Sequence, residues 1–365
     1  MSFLKNIFSK NGDEINSYAD FWKWFEANEK TFYNVVKKGT TIEKDFFNTL
    51  TPKLDALHEG YFFLTGMCDE KTAELVITAE GIVKNIVFVE ELVQAAPQLP
   101  NWKFTALKSE LDIENIQIIM GGYEFKSENL SFYAIEHKNY PDEVDIVIVY
   151  DDYNEQDKSI IINGAFIFLD NFLGELNSVT TIDSLAVIAR EEAKEDLIPI
   201  AKLKDYLIWR EKEFVEKYND YRYSTENDSF SSLEAELTNG KPLIAIVNTS
   251  LLDWENKASH PWIMRVIIPF NGESNNGMPN EETYLLLNQI EEDIMKDLKD
   301  ADGYLNVGRQ TADGVREIYF ACKDFRKSSK VLSVLIAKYK EQIKIEYDLF
   351  KDKYWQCLEK FKPGY

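Results

Sequence analysis

The stretch GYLNVGRQTADGVREIYFA, residues 303–321, lies at the centre of the region that decides the fold. Asp313-Gly314 supplies the positive φ angles that a tight hairpin turn needs. Apolar and polar residues alternate on both sides of this dipeptide. Alternation with a period of two residues around such a turn predicts a β-hairpin.

The flanking sequence extends the hairpin into one folding unit, residues 262–348. A predicted strand, Trp262–Phe270, leads to an amphipathic helix, Glu281–Asp300. The hairpin is followed by a predicted helix, Phe325–Glu341, and a closing strand, Ile343–Asp348. The order β-α-β-β-α-β is the split βαβ arrangement of ferredoxin-like domains. This fold hosts many unrelated activities, so it predicts no function by itself.

The first half of the chain contains the same kinds of element in a similar order. A helix is predicted at 18–38, and its aromatic residues recur at mostly helical spacing, which favours a core over a ligand site. A strand is predicted at 178–188 and a helix at 199–218. A last helix is predicted at the end of the chain, Lys351–Phe361. The aromatic residues that show this spacing are Tyr18, Phe21, Trp22, Phe25 and Phe32.

The length of 365 residues exceeds what a single hydrophobic core usually supports, so two domains are expected. Residues 219–240 are polar, rich in Ser, Asn and Glu, and typical of a linker. We therefore predict an N-terminal α+β domain with a helical start at 1–218 and a C-terminal ferredoxin-like domain at 241–365. The predicted fold class is α+β, with two ferredoxin-like domains whose antiparallel sheets carry helices on one face.

The charge balance restricts the partners. The chain has 41 basic and 63 acidic residues, a net charge of −22. Such a surface repels nucleic-acid phosphates and anionic lipids, so we expect neither nucleic acid nor membrane as a partner. The acidity has a simple interpretation, solubility alone, and a sharper one, a face for a basic protein partner. The oligomeric state does not follow from these features.

A cytoplasmic location is expected. No run approaches the roughly 20 apolar residues that span a bilayer. The first residues, Met1–Lys10, contain no apolar stretch long enough for an export signal. The cysteines are scattered and form no CxxC pair, which indicates neither a redox motif nor a zinc site. Of these, Cys322 lies in a strand pattern and is expected in the core.

The sequence contains no recognisable catalytic motif. His58, His137 and His260 are far apart and lack ligand spacing, and the adjacent acidic pairs are best explained as solvated helix faces. No nucleophile elbow, phosphate loop or dinucleotide fingerprint occurs. We therefore predict no catalytic residue, no metal site and no cofactor.

The arginines of the C-terminal half are the candidate binding residues. Arg265 lies inside an otherwise apolar strand and shares its face with Ile263 and Ile267, while Arg309 and Arg316 flank the hairpin turn. A guanidinium on an open sheet face can bind an anion. It can also form an internal ion pair, which is the simpler interpretation because arginine is rarely buried unpaired.

The second half, roughly residues 240–362, resembles an uncharacterised bacterial family known as domain of unknown function 695. The residues that carry the resemblance are Pro242–Val247, Trp262–Val266, Thr311–Phe320 and Asp352–Trp355. That family is distantly similar to the protein inhibitor of ribonuclease E, whose domain is ferredoxin-like and acidic. The resemblance implies a fold and brings no catalytic residues.

Three functional hypotheses follow. The first is a non-catalytic cytoplasmic binding or regulatory protein that acts through an acidic surface. The second is an enzyme with a cleft between the halves that uses dispersed carboxylates. The third is an immunity protein that neutralises a toxin, since an acidic surface suits a cationic target. A cluster of His, Arg and carboxylates in one deep pocket would favour the enzyme.

Overall fold

A computed structural model describes residues 14–362, so the predicted absence of an export signal at Met1–Lys10 concerns a segment outside the described residues. The chain divides into two compact units. The first contains the residues up to Glu110 together with Leu173–Leu176, and the second contains Leu111–Phe172 and the residues from Asn177 onward. Both units combine helices with sheets, which confirms the α+β class. The predicted domain boundary at residues 219–240 stays a prediction.

The first unit packs helices around a small sheet. Strands β1 and β2 form an antiparallel hairpin, and β3 joins β2 in parallel after a helical crossover. Residues 43–47 form a π-helical turn ahead of the second helix. The elements are α1 (Tyr18–Lys38), α2 (Asn48–Asp55), β1 (Phe62–Met67), β2 (Ala73–Thr78), α3 (Val83–Gln94) and β3 (Trp102–Ala106).

The aromatic residues of α1 form the core of this unit, as their spacing predicts. Phe21, Trp22, Phe25 and Phe32 are all buried. The indole Nε1 of Trp22 donates a hydrogen bond of 2.7 Å to the carbonyl oxygen of Leu92. The indole is therefore buried with its polar atom satisfied, as a core tryptophan requires.

A buried carboxylate explains why Leu173–Leu176 belongs to the first unit. Glu175 is fully buried and accepts a hydrogen bond of 2.5 Å from the Thr78 hydroxyl. It also accepts backbone hydrogen bonds from Ala79, Gly81 and Lys108, at 3.0, 3.0 and 3.1 Å. One side chain thus satisfies the backbone of the loops that follow β2 and β3.

The second unit begins with a ribbon and a four-stranded sheet. In this sheet the order is β8-β7-β6-β9, with β7 and β8 parallel and β6 antiparallel to β7 and β9. The elements between residues 111 and 218 are β4 (Ile118–Met120), β5 (Tyr123–Phe125), β6 (Leu130–Ile135), β7 (Asp145–Tyr150), α4 (Lys158–Leu173), α5 (Glu175–Thr181), β8 (Ser184–Ala189), β9 (Ile198–Pro199) and α6 (Leu203–Tyr218).

Two details of this half differ from the prediction. Residues 178–188 are not one strand, because α5 continues to Thr181 and β8 begins at Ser184. The β-branched residues favoured a strand, but the tertiary position of Glu175 starts a helix there. The strands also form separate sheets, and the sheets β1-β2-β3 and β8-β7-β6-β9 each contain one parallel pair. The helical crossovers place each next strand directly beside the last one, so no antiparallel strand lies between them.

No single helix among residues 14–362 is both long and apolar enough to cross a bilayer. One pair of helices, Glu155–Leu173 and Glu175–Thr181, reaches that length and composition only when taken together across a bend of 109°. Gly174, in the left-handed region at φ 78°, lies at the bend.

The C-terminal part of the second unit is built on a six-stranded sheet. Its order is β10-β11-β13-β14-β12-β15, and every neighbouring pair is antiparallel. The elements are β10 (Phe230–Glu236), β11 (Pro242–Asn248), α7 (Thr249–Leu252), β12 (Trp262–Pro269), α8 (Glu281–Asp297), β13 (Tyr304–Ala312), β14 (Val315–Cys322), α9 (Phe325–Tyr339) and β15 (Glu346–Lys351).

The element order predicted for residues 262–348 is confirmed, although the helix predicted at Glu281–Asp300 ends at Asp297 and the closing strand predicted at Ile343–Asp348 is β15, Glu346–Lys351. Strand β10 falls inside the segment predicted as a linker and pairs with β11 along its length. The predicted last helix is instead the end of β15 followed by a 3-10 helix, Gln356–Phe361. Its residues Trp355, Leu358 and Phe361 do pack together on the sheet. Cys322 is buried, as expected.

The turn of the β13–β14 hairpin has the predicted backbone. Asp313 and Gly314 both have positive φ, 45° and 77°. The amide of Gly314 donates to the carbonyl oxygen of Gly277, and the amide of Phe270 donates to the carbonyl oxygen of Gly314, at 2.8 and 2.7 Å. A Cβ on Gly314 would lie 2.9 Å from the carbonyl oxygen of Phe270. The turn is therefore closed on both sides by the loop after β12.

Replacing Gly314 by Val should destabilise the C-terminal sheet by about 1 kcal/mol or more, because a β-branched residue resists positive φ and its Cβ meets the Phe270 carbonyl. Urea denaturation followed by circular dichroism measures the effect. Gly240→Val is the matched control, since Gly240 has φ 78° and open space around it. The Gly240→Val variant should lose less free energy of unfolding than the Gly314→Val variant. An equal loss in both variants would mean that the loop contact contributes nothing.

Candidate functional site

The two faces of the C-terminal sheet carry different chemistry. Arg309 and Arg316 face α8, because Arg309 bonds to Glu291 and Arg316 bonds to Asn288 of that helix. Arg265 lies on the opposite face with Ile263, which packs on the apolar layer around Trp355. The structure thus brings together two of the three predicted arginines and separates the third.

Arg309 and Arg316 line a pocket of about 320 Å³ on the α8 side of the sheet. The walls are mainly apolar, and the guanidinium groups and hydroxyls are the polar groups. The lining residues come from β11, β13, β14, α8 and the loop before α8. They are Ile244, Ile246, Met278, Pro279, Tyr284, Arg309, Thr311 and Arg316.

Arg309 is neutralised inside the protein. Its Nη1 donates a hydrogen bond of 2.7 Å to Oε2 of Glu291, a residue that is 4% exposed. The other oxygen of Glu291 accepts a hydrogen bond of 2.9 Å from Asn306. Glu291 is therefore committed to Arg309 and Asn306. A charge-assisted pair of this kind is well satisfied although it is buried.

Arg316 is the buried charge that the described residues leave uncompensated. It is only 3% exposed, and its Nε and Nη1 donate to Thr311 Oγ1 and Asn288 Oδ1 at 3.0 and 2.8 Å. Within residues 14–362 it forms no ion pair with a carboxylate, and its Nη2 makes no hydrogen bond. The Tyr284 ring lies 5.4 Å from its guanidinium carbon. Both of its hydrogen-bond partners are neutral side chains.

The electrostatics of Arg316 agree with this geometry. Burial, and then the positive charge of Arg309, lowers the pKa of Arg316 to about 10. The group still carries its charge at neutral pH. A buried ion without a counter-ion costs several kcal/mol, so a negative group entering the pocket would be strongly favoured.

The loop between β12 and α8 forms one wall of the pocket. Its Gly277 is tied to the hairpin turn through Gly314, and this places Met278 and Pro279 over the sheet. Helix α8 begins immediately afterwards, where the Asn280 side chain accepts a hydrogen bond of 2.8 Å from the Thr283 amide. The same turn that closes the hairpin therefore shapes the pocket.

Helix α8 supplies residues that the sequence analysis missed. Tyr284, Asn288 and Glu291 are spaced i, i+4 and i+7, so they share the face that meets the arginines. Asn288 and Glu291 are polar residues at positions that continue the buried stripe of this amphipathic helix. This pattern in the sequence could have identified them. Thr311 was also missed, although it lies directly opposite Arg316 in the hairpin register.

Arg265 forms ion pairs within its own sheet. Its guanidinium donates a hydrogen bond of 2.5 Å to Asp348 of β15 and lies 3.6 Å from Glu317 of β14. This matches the simpler of the two interpretations offered by the sequence. Its carboxylate partners come from the two neighbouring strands.

Two of the three histidines have ordinary structural surroundings. His260 is fully buried beside Trp254, and burial lowers its pKa to about 3. His58 packs on Phe88 and lies 3.2 Å from the side-chain oxygen of Asn85. Neither histidine lies in a cluster of metal-ligating side chains among the described residues.

Asp293 holds α8 in place over the pocket by tying it to α9. Its carboxylate accepts hydrogen bonds from Lys296, Lys338 and Tyr339 at 2.7, 2.5 and 2.6 Å. The hydrogen bond from Lys296, followed by those from Lys338 and Tyr339, holds the pKa of Asp293 well below its usual range. The charged form is thus the one that the folded state favours.

The C-terminal region matches a known protein family. Residues 235–361 match a family of unknown function, DUF695. This confirms the resemblance, while the distant likeness to the ribonuclease E inhibitor stays a prediction. The DUF695 region begins within β10 and ends with the 3-10 helix, so it contains the whole arginine pocket. No curated protein and no solved structure matches the chain.

Replacing Asp293 by Asn should lower the stability of the folded chain at neutral pH by about 1 kcal/mol, since both lysine partners are more than half exposed. The folded-state pKa is depressed, so this contribution is present above the ordinary aspartate pKa and is lost as pH falls below it. Urea midpoints measured down to acid pH should therefore converge for the variant and the wild type. A stability difference that is independent of pH would contradict the assignment.

Proposed function

We propose that this chain is a non-catalytic binding or regulatory protein whose DUF695 region recognises an anionic group in the Arg309–Arg316 pocket. The single observation that carries the proposal is the buried guanidinium of Arg316 without a carboxylate partner. A carboxylate or phosphate oxygen at Nη2 would complete its hydrogen bonding and supply the missing negative charge. The pocket volume of about 320 Å³ lies within the range of small-molecule sites.

The walls of the pocket narrow the chemistry of the ligand. Ile244, Ile246, Met278 and Pro279 present apolar surface beside the guanidinium groups. A ligand that joins one anionic group to an apolar body would bury its apolar part against these residues and place its charge at Arg316. A small, fully hydrated anion would gain only the interaction of its charge with Arg316.

Recognition is favoured over catalysis because of the functional groups that line the pocket. Guanidinium, hydroxyl and phenol groups orient and neutralise an anion, while the lining contains no His, Cys or carboxylate to act as nucleophile or general base. The enzyme and immunity-protein hypotheses remain alternatives. A cytoplasmic location remains part of the proposal.

We also propose that β12 to β15 form a ferredoxin-like domain, extended at one edge by β10 and β11. The order β13-β14-β12-β15 supports this assignment, since each βαβ unit has a strand of the other unit between its own two strands. The units are β12-α8-β13 and β14-α9-β15. The ferredoxin-like fold predicted for the first half is not supported in the same way, because its strands form separate sheets.

The ligand proposal predicts a charge-dependent preference for hexanoate over hexanol. Hexanoate should raise the melting temperature of the wild-type chain more than hexanol does, since both can bury the apolar chain but only the carboxylate can pair with Arg316. Replacing Arg316 by Met should weaken hexanoate binding at least about tenfold, because hydrogen bonds to a charged group contribute roughly 1.5–3 kcal/mol. Isothermal titration calorimetry measures the affinities.

The control variant is Arg265→Met, which removes a guanidinium from the opposite face and should leave hexanoate binding unchanged. The unliganded Arg316→Met chain should be as stable as the wild type or more stable, since it no longer buries an uncompensated charge. Equal responses to hexanoate and hexanol, or full hexanoate affinity in Arg316→Met, would show that the pocket does not recognise an anion.

A basic protein partner remains part of the proposal because of the net charge of −22. Such a partner should associate more slowly as ionic strength rises, since salt screens the long-range attraction. Association rates measured by surface plasmon resonance at low and high salt test this. A rate independent of salt would remove the electrostatic basis for a basic partner.

A further inference from the structure

A second group of side chains meets at the end of the β6–β7 hairpin where the two strands are connected. His137 follows β6, Glu143 lies in the connection, and Asp145 begins β7. Their potential ligand atoms all lie within 4.8 Å of one another. The His137 Nε2 and Asp145 Oδ2 atoms are 2.7 Å apart. The three residues line a pocket of about 470 Å³, which is separate from the arginine pocket.

The connection that carries Glu143 is held in place from outside. Arg210 of α6 donates hydrogen bonds of 2.6 and 3.2 Å to the carbonyl oxygens of Pro141 and Glu143. Lys353 donates one of 2.5 Å to the carbonyl oxygen of Asp142. These bonds fix the backbone around Glu143, so the cluster is organised before any ligand arrives.

The carboxylates around this pocket differ in whether they are ion-paired with a lysine or arginine. Asp183 faces the same pocket and is paired with both Lys351 and Lys353, at 3.1 and 2.7 Å. The Glu143 carboxylate has no lysine or arginine partner among the described residues, and its hydrogen bond comes from the neutral amide of Gln356, at 2.6 Å. Within residues 14–362, Glu143 therefore lacks a Lys or Arg counter-ion, as do Asp145 and Asp352 of the same pocket, and it lies beside an imidazole and a second carboxylate.

We propose that His137, Glu143 and Asp145 bind a divalent transition-metal ion of the zinc class in this pocket. A neutral imidazole and two carboxylates together balance the charge of a divalent cation. One nitrogen and two oxygen donors suit Zn²⁺ better than Mg²⁺, which prefers oxygen ligands and water. Three protein ligands leave the remaining coordination positions to water or to a ligand that enters the pocket.

This site departs from the expectation that the chain holds no metal. That expectation rested on sequence spacing, and the spacing of His137, Glu143 and Asp145 matches no common metal motif. The hairpin register decides the matter, because Asp145 pairs with Ile135 and so returns beside His137. The simpler interpretation of the same atoms is a hydrogen-bonded His137–Asp145 ion pair without metal, and the experiment separates the two.

The untagged full chain, stripped of metal with a chelator, should bind Zn²⁺ with a stoichiometry of one in isothermal titration calorimetry. Excess Mg²⁺ should not displace it. His137→Ala and Glu143→Gln should each weaken the affinity at least about tenfold, since each removes one of the three ligands. Glu143→Gln keeps the shape of the side chain, so it tests the ligand role even if His137→Ala affects folding.

The matched controls remove the same functional groups elsewhere. His58→Ala removes an imidazole that contacts an asparagine, and Arg316→Met removes the proposed anion site, and both should keep full Zn²⁺ affinity. A wild-type chain that binds no Zn²⁺ at stoichiometric concentration would leave only the ion pair. Zn²⁺ binding unchanged in His137→Ala and Glu143→Gln would place the metal elsewhere and overturn the assignment.

Discussion

The register between β12 and β14 is the constraint on which the C-terminal region depends. These strands pair from Trp262 opposite Cys322 to Pro269 opposite Val315. Side chains alternate across a sheet, so a slip of one residue would move every side chain of a strand to the other face. Arg316 would then leave the pocket beneath α8 and enter the apolar layer. The burial of Ile263, Ile318 and Phe320 on their proper faces prevents this slip.

The loop between β12 and α8 forms one wall of the arginine pocket, and its position depends on this register. It is tied to the hairpin turn by backbone hydrogen bonds at Gly314, and it ends at the Asn280 cap of α8. Helix α8 is in turn held to α9 by Asp293. The walls of the arginine pocket are thus connected by hydrogen bonds to the sheet and to both helices. Such support keeps a buried cation in a fixed position, as a recognition site requires.

The charge distribution of the chain is uneven on a local scale. The chain as a whole is strongly acidic, yet the described structure holds one buried guanidinium that no carboxylate neutralises. Other buried charges of the same structure are ion-paired, as with Glu291 and Arg309 or Asp183 and its two lysines. Because carboxylates are plentiful in this chain, a buried guanidinium remains without one only if the residues around it are specifically arranged. This contrast supports a role in binding for Arg316.

Local patterns in the sequence were sufficient for several features. The Asp313-Gly314 turn, the alternating strands around it, the aromatic stripe of α1 and the order of elements in residues 262–348 all follow from short-range backbone and burial preferences. The sequence also singled out Arg309 and Arg316. Only the tertiary structure decided that these two share a pocket while Arg265 lies on the other face, and that Glu291 neutralises one of them and not the other. Likewise, His137 meets Glu143 and Asp145 only through strand pairing. Contacts between distant residues depend on register and packing, and a single sequence does not encode these as a local pattern.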